Sequence, residues 1–303
     1  MKLEMDFQFL KEGLINMKIL VKPKSLNINK KNADAFLFGI KGLSVFNTCN
    51  ISIITLKKIL KSTDKEIFVS IDKNIFDKDL KYLEKVLLTL STLNIKGLFF
   101  YDLSVLYMVK RLNLNINLIW NQNYLVTNHK TCEFYKNEGV CGAYISSEIT
   151  LNEIKSIREK TDLTLFLNVF GYQLMAFSKR KLLSSYFKYI KRFNLKKNNY
   201  MIEKDNKYQV KEIKEGTLFI SNYILNAMPL INEIKDIKLD YIVLDEFMIN
   251  DFDKVLDIYK DIINKKVSKK YIDDKNKIIE NIFTNTSLGF LEKETIYKVK
   301  NNG

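Results

Sequence analysis

Arg180, the acids Asp102 and Asp245-Glu246, and the amides Asn121, Asn123 and Asn168 are the side chains of this sequence best suited to polar chemistry. A guanidinium offers a planar fork of donors that matches a carboxylate or phosphate, so Arg180 reads as an anion clamp. A carboxylate can orient a bound group or take its proton, the role open to Asp102 and Asp245. Consecutive strand residues point to opposite faces, so only one of Asp245 and Glu246 can face such a site. Lys41, Asn121, Asn123, Asn168 and Ser178 would supply the remaining contacts to a small polar or carboxylated ligand. Hydrolytic machinery of known pattern is missing. His129 is the sole His, Ser178, Ser184 and Ser185 sit in no Gly-x-Ser-x-Gly elbow, and there is no HExxH. Cys49, Cys132 and Cys141 have no CxxC spacing, which argues against a zinc site and against an iron–sulfur cluster with its four thiolates.

Positioning these residues falls to an alternation of short apolar runs with longer amphipathic ones. Strands are expected at 18–22, 35–40, 66–71, 97–101, 117–120, 142–146, 163–169 and 241–245, each apolar almost throughout, as strands buried on both faces are. Helices are expected at 54–60, 77–93, 105–112, 128–137, 151–160, 183–193, 224–234 and 252–264. Eight strand–helix units in this length predict an α/β fold, a (β/α)8 TIM-like barrel, with a doubly wound open sheet as the alternative. In a barrel, chemistry sits at the C-terminal strand ends, where the polar residues above fall. Extended segments at 200–202, 208–213 and 217–221 predict a small β-meander, inserted over about 199–222 between the last two barrel strands. The organisation expected is an N-terminal extension (1–16), a barrel (17–266) and a polar, Lys-rich C-terminal tail (267–303).

The formal charge is +14, nearly all of the excess being Lys. It is consistent with a solvated surface in a composition rich in Lys, Asn and Ile, or with a polyanion partner. Residues 163–202 contain no Asp or Glu. They carry Lys179, Arg180, Lys181, Lys188, Lys191, Arg192, Lys196 and Lys197, interleaved with Tyr186, Phe187, Tyr189, Phe193 and Tyr200. Cations for phosphates and rings for exposed bases suit RNA, whereas an ordinary barrel helix would turn Leu183, Phe187 and Ile190 inward. The three unpaired cysteines fit a reducing cytoplasm, and no apolar run is long enough to span a membrane.

The stretch from Gly171 to Ser184, with Phe177-Ser178, Arg180 and Leu182-Leu183-Ser184, resembles in register the signature of the collagenase-like peptidase U32 family, roughly His-Gly-x-x-Cys-x-x-Tyr-Ser-Gly-Arg-Cys-Leu-Leu-Ser. Leu174 and Lys181 stand where the family has cysteines. Further likenesses are Ala33-Asp34-Ala35 through Gly39, Val126-Thr127-Asn128, Ile149 through Ile154, and Gly216 through Asn222. Asp245 falls in the register of a family Glu. The resemblance implies a barrel and the label peptidase. In some members it also implies a four-cysteine iron–sulfur site serving hydroxylation of tRNA, rRNA or a quinone precursor, with prephenate linked to the RNA reactions. All four of those cysteines are replaced here. The expectation is therefore a cluster-free subunit in tRNA wobble-uridine hydroxylation, binding tRNA and paired with a cluster-bearing relative. The alternatives are a peptidase and a non-catalytic interaction protein.

Overall fold

The computed structural model describes residues 17–26, 28, 32–122, 125–192 and 199–293. The chain opens with β1 (Lys18–Lys22), β2 (Ala35–Ile40), the short β3 (Asn50–Ile51), α1 (Ile53–Ser62), β4 (Glu66–Ile71) and α2 (Asp77–Leu90). It continues through β5 (Gly97–Phe100), α3 (Leu103–Arg111), β6 (Leu118–Trp120), α4 (His129–Asn137), β7 (Gly142–Tyr144) and α5 (Leu151–Arg158). Then come β8 (Thr164–Ser178), α6 (Leu182–Tyr189), β9 (Asn199–Glu203), β10 (Asn206–Ile213) and β11 (Gly216–Asn226). A 3-10 turn (Met228–Leu230) leads to α7 (Ile231–Asp236), β12 (Tyr241–Asp245), α8 (Phe252–Ile262), α9 (Lys269–Ile282) and β13 (Thr286–Ser287).

Eight parallel strands, β1, β2, β4, β5, β6, β7, β8 and β12, form a closed barrel. β12 pairs with β1 on one side and with the first half of β8 on the other. The strands bury both faces, as their composition requires. In β2, Ala35 and Leu37 face the lumen while Phe36 and Phe38 face the helices. Phe68, Phe99, Phe166 and Tyr241 fill the lumen, with Phe166 and Tyr241 stacked at 4.6 Å and Phe68 edge-on to Phe99 at 5.6 Å. The barrel is thus a packed core with a polar mouth. Helix starts carry their own signals. Thr150 and Glu153 form a reciprocal capping box on α5, and Asp102 caps α3 by accepting from the Ser104 N–H at 2.9 Å.

Two expectations are corrected. The strand expected over 163–169 runs on past Gly171 to Ser178, because its second half pairs antiparallel with β11. Gly171 bends it instead of ending it. Its φ is +125°, and a Cβ there would stand 2.7 Å from the Asp245 carbonyl oxygen. The helix expected over 224–234 begins later. Residues 224–226 remain in β11, paired to β8 and β13, and the helical turn starts around Pro229, where a missing N–H costs no bond. The Lys-rich tail holds α9, whose Ile272 and Ile279, two turns apart, are buried. The meander forms as expected from β9, β10 and β11. Helix α6 stops at Tyr189, with Lys191 in the left-handed region at φ +52°.

Candidate functional site

A cavity of about 240 Å3 opens at the C-terminal end of the barrel. Strand ends supply its wall: Lys22, Asp72, Asn121, Tyr144, Asn168 and Asp245. The loop after β2 adds Phe46 and Asn47. Its roof is the sheet that β8 and β11 build after leaving the barrel, through Tyr172, Leu174, Leu218 and Ile220. The meander is therefore a cover for the mouth, held by the same strand that forms part of the wall.

Lys22 and Asp245 are the charged centre. Strand pairing sets them side by side, and the ammonium lies 2.6 Å from the carboxylate. Burial alone would lower the Lys22 ammonium. The Asp245 carboxylate outweighs it and holds Lys22 above an ordinary lysine. Burial pushes the neighbouring Tyr144 phenol up to about 12. Asp245 also accepts from the Phe247 N–H at 2.9 Å, while Glu246 points the other way, accepting from the Lys24 N–H. Asp72, 1% exposed, takes bonds from Ser44 Oγ, Ser70 Oγ, Asn47 Nδ2 and the Val45 and Phe46 N–H groups. It shapes the loop that carries Phe46 and Asn47.

Of the residues singled out from sequence, Asn121, Asn168 and Asp245 line this cavity. Asp102 spends both oxygens on backbone, at Ser104 and at the Ile75 N–H, 2.9 Å away. Arg180 and Ser178 stand at the far end of the β8 extension. Arg180 is exposed, and its carbonyl accepts from Thr217 Oγ1. Lys41 is exposed beyond β2. None of these four is among the residues lining the cavity. Lys179, Lys181, Lys188, Lys191 and Arg192 are exposed on and around α6. Asn123, Lys196 and Lys197 lie outside the described residues. Helix α6 itself buries no residue, and Tyr186 and Tyr189 are 56% and 85% exposed, so it is not an ordinary barrel helix. Sequence reasoning missed Lys22, Asn47 and Tyr144. Lys22 had a signal: barrel closure must bring the end of the first strand beside the end of the last.

The chain matches the model of peptidase family U32 over residues 24–300. It belongs to that family. Among U32-related proteins, it is 25% identical over 309 residues to the tRNA hydroxylation protein P2 of Bacillus subtilis, covering 92% of this chain and 99% of that protein. It is 26% identical over 115 residues to the tRNA hydroxylation protein P1 of the same organism, covering 37% of this chain and 27% of that one. The solved U32 peptidase Mk0906 superposes with a TM-score of 0.47 at 12% identity, over 76% of this chain and 92% of its own. In this U32 chain the signature residues divide between two places. Leu174 lines the roof of the mouth, and Lys181 stands exposed at the start of α6. Among the described residues no helix is long and apolar enough to cross a membrane.

Proposed function

We propose that this U32 chain serves tRNA hydroxylation at the wobble uridine, as a cluster-free subunit beside a cluster-bearing relative. The likeness to the protein named tRNA hydroxylation protein P2, over nearly the whole of both chains, carries the reading. A second relative in the same organism, named P1, supports a system of paired proteins. The donor set of this chain does not suit an iron–sulfur cluster. Leu174 and Lys181 offer no soft ligand at the signature positions. Cys49 lies in the loop before β3 and Cys132 in α4, and burial pushes both thiols up, the latter to about 11, which disfavours the thiolate a metal requires. The exposed cations and tyrosines of α6 supply phosphate contacts and stacking surface for the tRNA. A peptidase reading draws no support from the cavity, since His129 opens α4 and is not among its lining residues.

Deleting the gene in its host and measuring tRNA nucleosides by mass spectrometry tests the proposal. The hydroxylated wobble uridine should disappear and return on complementation. Unchanged modification in the deletion strain overturns it.

A further inference from the structure

The floor of the mouth is a polar layer laid on the aromatic one. Lumen-facing residues recur at every second strand position, so Leu20 is followed by Lys22, Phe166 by Asn168 and Val243 by Asp245. The acceptors of this lining are used or shielded. Asp72 receives five donors, from Ser44, Ser70, Asn47 and two backbone N–H groups. Asp245 receives Lys22 and the Phe247 N–H. The Oδ1 atoms of Asn47, Asn121 and Asn168 are buried and offer nothing to the cavity. Glu215, the remaining acid of the lining, is exposed at the rim.

The donors are not used up. An ammonium carries three protons, and Asp245 is the one ion-pair partner of Lys22 among the described residues. The Lys22 side chain is 19% exposed and lines the cavity. Tyr144, half-buried and edge-on to Phe99 at 6.1 Å, lines the same floor. Its hydroxyl makes no hydrogen bond among the described residues. Both groups keep their protons at neutral pH. Burial would lower the Lys22 ammonium, but Asp245 outweighs it, and burial pushes the Tyr144 phenol up to about 12. Two donors open to one cavity suit an oxygen that accepts from both. Charge decides its kind. Asp245 already answers Lys22, and the buried Asp72 adds a further negative charge, so the floor disfavours a carboxylate and admits an uncharged carbonyl. Lys211, the other cation of the lining, is exposed and stands 4.9 Å from the centre of the Phe247 ring. Phe46 and Phe247 offer ring surface to a flat group. The volume of about 240 Å3 falls below the usual range for drug-sized ligands, so the occupant is small.

We propose that the mouth binds a small uncharged carbonyl compound with a flat body, its oxygen accepting from Lys22 Nζ and the Tyr144 hydroxyl while the body packs on Phe46 and Phe247. Asp245 is the positioning residue that holds Lys22 in place. Two donors on one carbonyl oxygen stabilise negative charge that develops there. The site does not depend on the tRNA role proposed above.

Benzamide and benzoate, alike in shape and different in charge, are the probes, each titrated into the purified full chain by calorimetry and by thermal melting. Benzamide binds and raises the melting temperature, and benzoate binds at least roughly tenfold more weakly. Tyr144→Phe keeps the ring and melts within a few degrees of the native chain, because the lost hydroxyl held no bond within the protein. It weakens benzamide by roughly tenfold, the scale of one hydrogen bond. Should Tyr144→Phe not fold, Lys22→Met combined with Asp245→Leu, which removes both charges together, shows the same loss. Benzoate binding as tightly as benzamide, or no benzamide binding at millimolar concentration, overturns the proposal. So does a folded variant that binds benzamide as the native chain does.

Discussion

Lys22 and Asp245 are far apart in sequence and become neighbours only when β12 closes the barrel onto β1. Their side chains are 19% and 10% exposed, so neither charge is well solvated without the other. Lys22→Met and Asp245→Asn should each destabilise the fold by about 1–3 kcal/mol, by stranding the remaining charge or its bonds. The double variant should cost less than the sum by about 1 kcal/mol. Denaturant unfolding of the four proteins measures this, and additive values would show that the pair is not coupled. At this scale the sequence was partly readable. Asn121, Asn168 and Asp245 reach the mouth because strand ends of a barrel must. Arg180 does not, because β8 continues past Gly171 and carries it to the exposed end of the roof. Asn47 could not have been foreseen, since its place depends on the bonds that Asp72 collects from a loop of no regular structure.

Among the elements, α6 is the one whose surface suits a partner better than a core. It is tied to the roof by Ser184, whose N–H and Oγ both bind the Glu212 carboxylate, and by the Leu182 N–H to Thr217 Oγ1. Its cations face outward from a fixed base. Changing Lys188, Lys191 and Arg192 together to Glu should weaken tRNA binding at least tenfold and shallow its dependence on salt, because fewer counterions are released. A filter-binding titration that shows the same affinity and slope as the native chain would remove α6 from the tRNA surface. The strand positions were legible because each is a short apolar run bounded by polar residues. Element ends were less so. The strand expected over 163–169 runs on because pairing with β11 makes Gly171 a bend, and the same pairing claims residues 224–226, expected to be helical.

For the whole molecule, the closed end of the barrel contributes to the response to acid through Glu66. Glu66 opens β4 and accepts from Lys18 Nζ at 2.7 Å and from the Tyr241 hydroxyl at 2.6 Å, with Lys96 Nζ at 3.1 Å. Burial would raise its carboxyl, but these partners outweigh it and hold the group below 4.5. A carboxylate depressed in the folded state contributes stability above its unfolded value, and that contribution is lost as pH falls through the folded one. Glu66→Gln should therefore melt lower than the native chain at neutral pH, by a margin that shrinks as pH falls into the acid range. A melting-temperature difference that stays constant across that range would contradict the assignment. The eightfold alternation made the barrel readable, while the roof's place over the mouth was not, because it follows from one bend at one glycine. That bend has a mechanical consequence. Wall and roof share one continuous strand, paired to β12 before Gly171 and to β11 after it, so anything that relaxes the bend must shift Leu174 over the cavity and strain the barrel wall together.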